Sequence, residues 1–169
     1  RTLNQYLPPQ QQMATGVNGK TIKLQINRGS GGCFPQHYDN PGRPNKRQLT
    51  CLLYLNRHWK TGDGGELQLT PFLNKPVTIE PLFDRFVIFY SDRVLHRVLP
   101  AAAPRFCFTI WLDGLDTNTN DDVLLKAKHI DHSSEQAFEQ SIQLLRSSPL
   151  QRVLSRAIYA EEYEESLWQ

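Results

Sequence analysis

Sulfur is scarce in this chain, with three cysteines and one methionine in 169 residues. Cys33, Cys51 and Cys107 are odd in number and form no C-x2-C pair, which excludes a disulfide framework and a zinc ribbon. Cys51 and Cys107 fall inside β-type runs and are expected as reduced core residues, which points to a cytoplasmic or nuclear setting. Charge of either sign is nearly balanced, 19 Lys and Arg against 17 Asp and Glu, and no run of five or six basic residues occurs. A nucleic-acid partner is therefore not expected. No apolar stretch approaches a membrane span, so no membrane partner is expected, and no internal repeat is evident. What remains is a globular composition, 39% hydrophobic and 21% charged, at a one-domain length. The chain opens on Arg1 rather than Met, so the natural N-terminus is expected to lie upstream, where a signal peptide or a further domain would be.

Residues 1–21 are polar, with Pro8-Pro9 and a glutamine run, and read as a loop or a partial N-terminal segment. IKLQIN (22–27) alternates apolar and polar residues, the mark of a half-buried strand. Gly29, Gly31 and Gly32 then make a turn without the lysine or the spacing of a phosphate cradle. After a strand around residue 37 and a loop over 40–48, runs at 49–56, 65–70, 77–81, 85–91, 95–100 and 105–112 follow quickly. Each is bounded by Gly, Pro, Asn or Asp. About eight short strands at this spacing predict a mainly β domain over 22–114, a jelly roll being one closed solution.

The character changes past Gly114. Ser133-x-x-Gln136 reads as a capping box ahead of a helix carrying Phe138, Ile142 and Leu145 on one face. Ser148 as N-cap with Pro149 at the first helical position opens another, followed by an acidic end. Its apolar stripe is Leu150, Val153, Leu154, Ala157 and Ile158. Residues 115–169 are expected to be a helical extension packed on the outside of the β-core, the alternative being a docking surface for a partner.

The chemistry gathers around His37-Tyr38-Asp39 and the distant His96. On a strand, positions 37 and 39 point the same way, so both reach one ion, and His96 must arrive from another strand. Two imidazoles with one carboxylate suit Fe(II): they fill one face of an octahedron and leave the opposite positions open. An H-x-D triplet is a weak signal by itself, since His129-Ile130-Asp131 is a second one. That one lies in the polar segment KAKHIDHSS and reads as a solvated linker. Nine residues after His96, Arg105 opens the run RFCFTIWL. Arg105, Thr109 and Trp111 share one face of this strand, while Phe106, Phe108 and Ile110 take the other. Tyr54 shares its face with Thr50 and Leu52. Arg43, Lys46 and Arg47 read as a solvated loop or as a guide for an acidic peptide.

In chain order, HYDNP, LTCLLYLN, Trp59, GGEL, EPLFDRFVIFYSD, His96 and R-x-x-x-T-x-W resemble the Fe(II)- and 2-oxoglutarate-dependent dioxygenases of the prolyl 4-hydroxylase type. They are similar to the prolyl hydroxylases that modify hypoxia-inducible factor and Skp1. The resemblance covers residues 22–113. It implies a double-stranded β-helix (jelly-roll) core, with Fe(II), 2-oxoglutarate and O2 as cofactors and ascorbate as a reductant. His37, Asp39 and His96 would hold the iron as the catalytic centre. Arg105 would pair with the distal carboxylate of 2-oxoglutarate, assisted by Tyr54, with Thr109 and Trp111 lining the same pocket. Such a dicarboxylate would remove the heavy cost of an unpaired buried guanidinium. Asn27 stands where the hypoxia-type enzymes carry a tyrosine beside the iron-chelating end of the cosubstrate, and an amide can hydrogen-bond there.

The activity implied is hydroxylation of a proline in a protein or peptide substrate. Alternatives are a dioxygenase acting on another side chain or a small molecule, because one fold serves many substrates, and a non-enzymatic jelly-roll binding module. A Cys–His hydrolase using Cys33 or Cys107 lacks a local nucleophile signature.

Overall fold

Short β-branched and aromatic runs, punctuated by Gly, Pro and Asn, become strands in the computed structural model, which describes residues 2–42, 44–115, 130–148 and 150–169. They are β1 (Lys20–Asn27), β2 (Gly32–His37), β3 (Arg47–Tyr54), β4 (Leu67–Pro71), β5 (Val77–Ile79), β6 (Phe86–Tyr90), β7 (Val94–Ala101) and β8 (Arg105–Asp113). All pairings are antiparallel, in two four-stranded sheets ordered β1-β8-β3-β6 and β2-β7-β4-β5. Apart from the β4–β5 hairpin, successive strands alternate between the sheets, and this crossing back and forth is what makes the expected jelly roll.

Between the sheets sit Leu52, Tyr54, Leu67, Phe89 and Cys107, with Leu69, Ile79, Val87 and Val94 packed around them. Cys51 and Cys107 are buried free thiols. The β1-β8-β3-β6 sheet carries apolar residues on its outer face as well. The cross-strand rows Ile22–Ile110–Cys51–Ile88 and Leu24–Phe108–Leu53–Phe86 lie on its outer face. Ile22, Leu24 and Ile26 are 56–57% exposed. The alternation in 22–27 does mark a strand, but its polar residues are the ones that look toward the cavity between the sheets.

Three helices follow: α1 (Glu135–Ser147), α2 (Leu150–Ile158) and α3 (Ala160–Leu167). The cap of α1 is Ser134 rather than Ser133: its hydroxyl accepts from the Ala137 N–H, one turn in. Ser148 Oγ accepts from the Leu150 N–H at the start of α2. The stripe expected to bury α2 does so only in part: Leu150 and Leu154 are half-buried, but Val153 is 64% and Ile158 48% exposed, while Gln151 and Ser155 are fully buried. Helix α3 lies against β2, and the Tyr159 hydroxyl between α2 and α3 accepts from the Leu73 N–H at 2.8 Å. The segment DVLLKAKH, His129, Arg43 and Pro149 lie outside the described residues. Among the described residues no helix is long and apolar enough to cross a membrane.

Leu67 has no exposed surface and joins the two sheets. Leu67→Ala is expected to cost about 3 kcal/mol through lost burial and a residual cavity. Urea denaturation checks this; a loss below about 1 kcal/mol would mean the core is not where these contacts put it.

Candidate metal and anion site

The site begins with one register. His37, the last residue of β2, pairs directly with His96 in β7, so two rings far apart in sequence meet at 4.3 Å between centroids. Each ring is aimed by the same device: Nδ1 faces a backbone carbonyl two residues upstream, Pro35 O at 2.7 Å and Val94 O at 3.1 Å. That contact favours the proton on Nδ1 and leaves the Nε2 lone pair free to bind a metal. The two Nε2 atoms stand 3.5 and 3.6 Å from the two oxygens of Asp39. All three residues can offer ligand atoms lying within 4.8 Å of one another. Asp39 does not reach this place by strand parity, as its position two residues on had suggested. The strand stops at His37, and Asp39 comes in from the bend that follows.

The electrostatics suit a cation. Burial opposes charge on Asp39, but its bond to His37, the His96 ring, Thr50 and Trp111 together hold the carboxyl well below the usual range. Burial, reinforced by His37, pushes His96 down to about 4 against the pull of Asp39, so it is neutral at pH 7. His37 is held above its ordinary value: burial lowers it, yet Asp39 and the Pro35 carbonyl outweigh that. Thr50 Oγ1 lies 2.7 Å from Asp39 Oδ2 and 2.8 Å from Ser91 Oγ. A carboxylate only accepts, so Thr50 donates to Asp39 and accepts from Ser91.

A cavity of about 220 Å³ opens from this triad and reaches Arg105, Thr109 and Trp111. Arg105 is 2% exposed. Its Nε donates to Gly65 O at 2.7 Å, but Nη1 finds only the Cys107 sulfur at 3.4 Å and Nη2 the Tyr54 hydroxyl at 3.5 Å. Those are weak acceptors, and no carboxylate among the described residues pairs with it. A buried cation left so poorly matched is expensive unless an anion completes it. Tyr54 lies behind the guanidinium, 5.1 Å from its ring, and burial pushes its phenol up to about 12, so it remains a neutral O–H donor. Two histidines with a carboxylate fit Fe(II), and a guanidinium lacking a counter-ion in the same cavity fits a dicarboxylic acid.

Asn27 lies opposite Arg105 in the register, but its amide serves the glycine turn, with Oδ1 accepting from Gly29 N and Nδ2 donating to Gly32 O. Lys23, Gln25 and Phe34 line the cavity without having been singled out from sequence, and Thr50, which the sequence placed only on the face of Tyr54, lines it too. Period-two alternation along β1 would have found Lys23 and Gln25, since they share a face with Asn27. Gly65 matters more than as a turn. Its φ is +76°, and a Cβ there would stand 2.8 Å from Arg105 Cδ, so only glycine lets the guanidinium lie down.

Residues 23–113 match the family model described as the 2OG-Fe(II) oxygenase superfamily. Over 111 residues the chain is 39% identical to a hypoxia-inducible factor prolyl hydroxylase of Caenorhabditis elegans, covering 64% of this chain and 15% of that protein. A crystal structure of a prolyl 4-hydroxylase from Phytophthora capsici superimposes with a TM-score of 0.88 at 53% identity, covering 98% of this chain and 55% of that one. A prolyl hydroxylase from Trichoplax adhaerens, in complex with a hypoxia-inducible factor peptide fragment, is 42% identical with a TM-score of 0.54, over 56% of this chain and 44% of that one. The chain thus spans little more than half of the solved relative and less than half of the curated ones it matches.

Removing the Thr50 hydroxyl takes away one of the groups that hold Asp39 ionised. In Thr50→Val the Asp39 pKa rises, protons compete for the carboxylate at higher pH, and the pH at which half of bound Mn(II) is released moves upward. Electron paramagnetic resonance of free Mn(II) across a pH series measures that midpoint; an unmoved midpoint would show that Thr50 does not act on Asp39.

Proposed function

The chain belongs to the 2OG-Fe(II) oxygenase superfamily, and we propose that it carries the catalytic centre of a protein prolyl 4-hydroxylase. The observation that carries this reading is the buried Arg105, lacking any carboxylate partner among the described residues, in one cavity with His37, Asp39 and His96. The prolyl substrate is supported by 53% identity to the Phytophthora capsici prolyl 4-hydroxylase over nearly the whole chain.

In this reading His37 and His96 give their Nε2 lone pairs and Asp39 a carboxylate oxygen to Fe(II). Arg105 takes the distal carboxylate of 2-oxoglutarate through its two Nη groups, and the Tyr54 hydroxyl adds a donor to the same anion. Thr109 and Trp111 form the wall beside it, whereas the Asn27 amide is engaged with Gly29 and Gly32 and is not among the residues that line the cavity. When bound, Fe(II) with 2-oxoglutarate and O2 supplies oxidising power that places one oxygen atom in a substrate C–H bond and the other in succinate, with release of CO2. The protein contributes position and dryness: apolar Leu52, Leu67 and Val98 bound the same cavity and limit water around the reacting atoms. Free thiols at Cys33, Cys51 and Cys107 support a cytoplasmic or nuclear setting.

Succinate release and mass spectrometry of proline-containing peptides, run beside free amino acids, test the assignment. One oxygen should be added to proline in a peptide, and His96→Ala should reduce turnover to background. Arg105→Lys should raise the 2-oxoglutarate KM about 10- to 100-fold, the equivalent of roughly 1.5–3 kcal/mol for a charged two-point contact. Turnover of free amino acids in preference to peptides would sink the protein-substrate reading.

A further inference from the structure

Helix α2 exposes Val153 and Ile158 and buries Ser155, helix α3 buries Ser166, and these two serines lie toward the segment that carries His37 and Asp39. β2 is an edge strand, with β7 on one side only. The backbone N–H of Gln36 is met by Ser166 Oγ of α3 at 3.0 Å, which closes a donor that an edge strand would leave open. Two residues on, the Tyr38 hydroxyl adjoins Ser155 of α2, a hydroxyl that Tyr163 also approaches. After two more, the Asn40 carbonyl accepts from Arg152 Nη1 of α2 at 3.3 Å. Ser155 and Ser166 are 0% and 2% exposed; each hydroxyl donates to a carbonyl of its own helix, Arg152 O at 3.1 Å and Tyr163 O at 2.8 Å, which leaves the oxygen lone pairs to accept from the strand side.

Gln36, Tyr38 and Asn40 alternate with His37 and Asp39. Helical residues therefore hold every second position of the segment, and the remaining two point into the cavity. The grip falls where the sheet ladder ends, since β2 stops at His37 and Asp39 stands in a bend. On the other side, Asn40 N donates to Ser91 O and the Asn40 amide to Arg47 O, so the bend is fastened from both the core and the helices.

We propose that the C-terminal helices are a positioning clamp for the metal ligands. Ser166, Ser155 and Arg152 fix Gln36, Tyr38 and Asn40, and thereby set where His37 and Asp39 present their ligand atoms. This rests on the reading of His37, Asp39 and His96 as the metal site. Small hydroxyls suit the task because they let a helix approach a strand closely while still meeting its polar groups, which a leucine or valine would block.

The test uses Mn(II) alone, which takes the same oxygen and nitrogen donors, titrated into the full chain with free Mn(II) read by electron paramagnetic resonance. Metal-free thermal unfolding is followed in parallel. Ser155→Ala with Ser166→Ala, and separately Tyr38→Phe, should weaken Mn(II) binding about tenfold, the scale seen when partners of metal ligands are removed, in protein that is still folded. Val153→Ser, on the outward face of α2, should bind as the parent chain does. A lowered melting temperature with unchanged Mn(II) affinity would make the helices a structural buttress and overturn the clamp. If the parent chain itself binds no Mn(II), the metal-site reading fails and the clamp fails with it.

Discussion

The pairing of His37 with His96 across β2 and β7 is the constraint on which the functional arrangement depends. A one-residue slip in an antiparallel register turns side chains to the opposite face, and here it would separate the two imidazoles. The register shifts between Gly32 and His37 show that the pair is not reached by uninterrupted pairing from the turn. The histidines are brought opposite one another despite irregularities upstream, and carbonyls of their own strands then aim the rings. Asp39 closes the triad from a bend, where Thr50 of the other sheet receives it.

β8 carries a second consequence of the sheet geometry. Its inward face holds Arg105, Cys107, Thr109 and Trp111, and its outward face Phe106, Phe108 and Ile110. Ordinary burial would favour the opposite choice, because a guanidinium costs several kcal/mol to desolvate without a partner. The polarity makes sense if the inside of the roll is a binding chamber. Gly65 shows how closely that chamber is fitted, since its bare Cα gives Arg105 Cδ its place and its carbonyl holds Nε.

The C-terminal helices connect this chamber to the outer surface. Ser166 and Arg152 reach the segment beside the ligands, while Val153, Ile158 and Leu167 remain exposed. Local periodicity describes a helix correctly without saying which face meets the core, because that depends on what the core presents. An edge strand presents unpaired N–H and C=O groups, so it selects hydroxyls and a guanidinium.

Sequence by itself determined the element types and a mainly β core, because strand alternation and turn residues are written in local order; the jelly-roll class and the grouping of His37, Asp39, His96 and Arg105 came from the ordered motifs that resemble a known family. Sequence also separated the faces of β8 correctly, since parity along a strand needs no tertiary information. Only the tertiary structure decided that Asp39 enters from a bend, that Thr50 and Ser91 support it, and that the Asn27 amide serves a turn. The same holds for the helix faces. Each of these depends on contacts between residues far apart in the chain, and neither spacing nor periodicity encodes which distant groups will be left needing a partner.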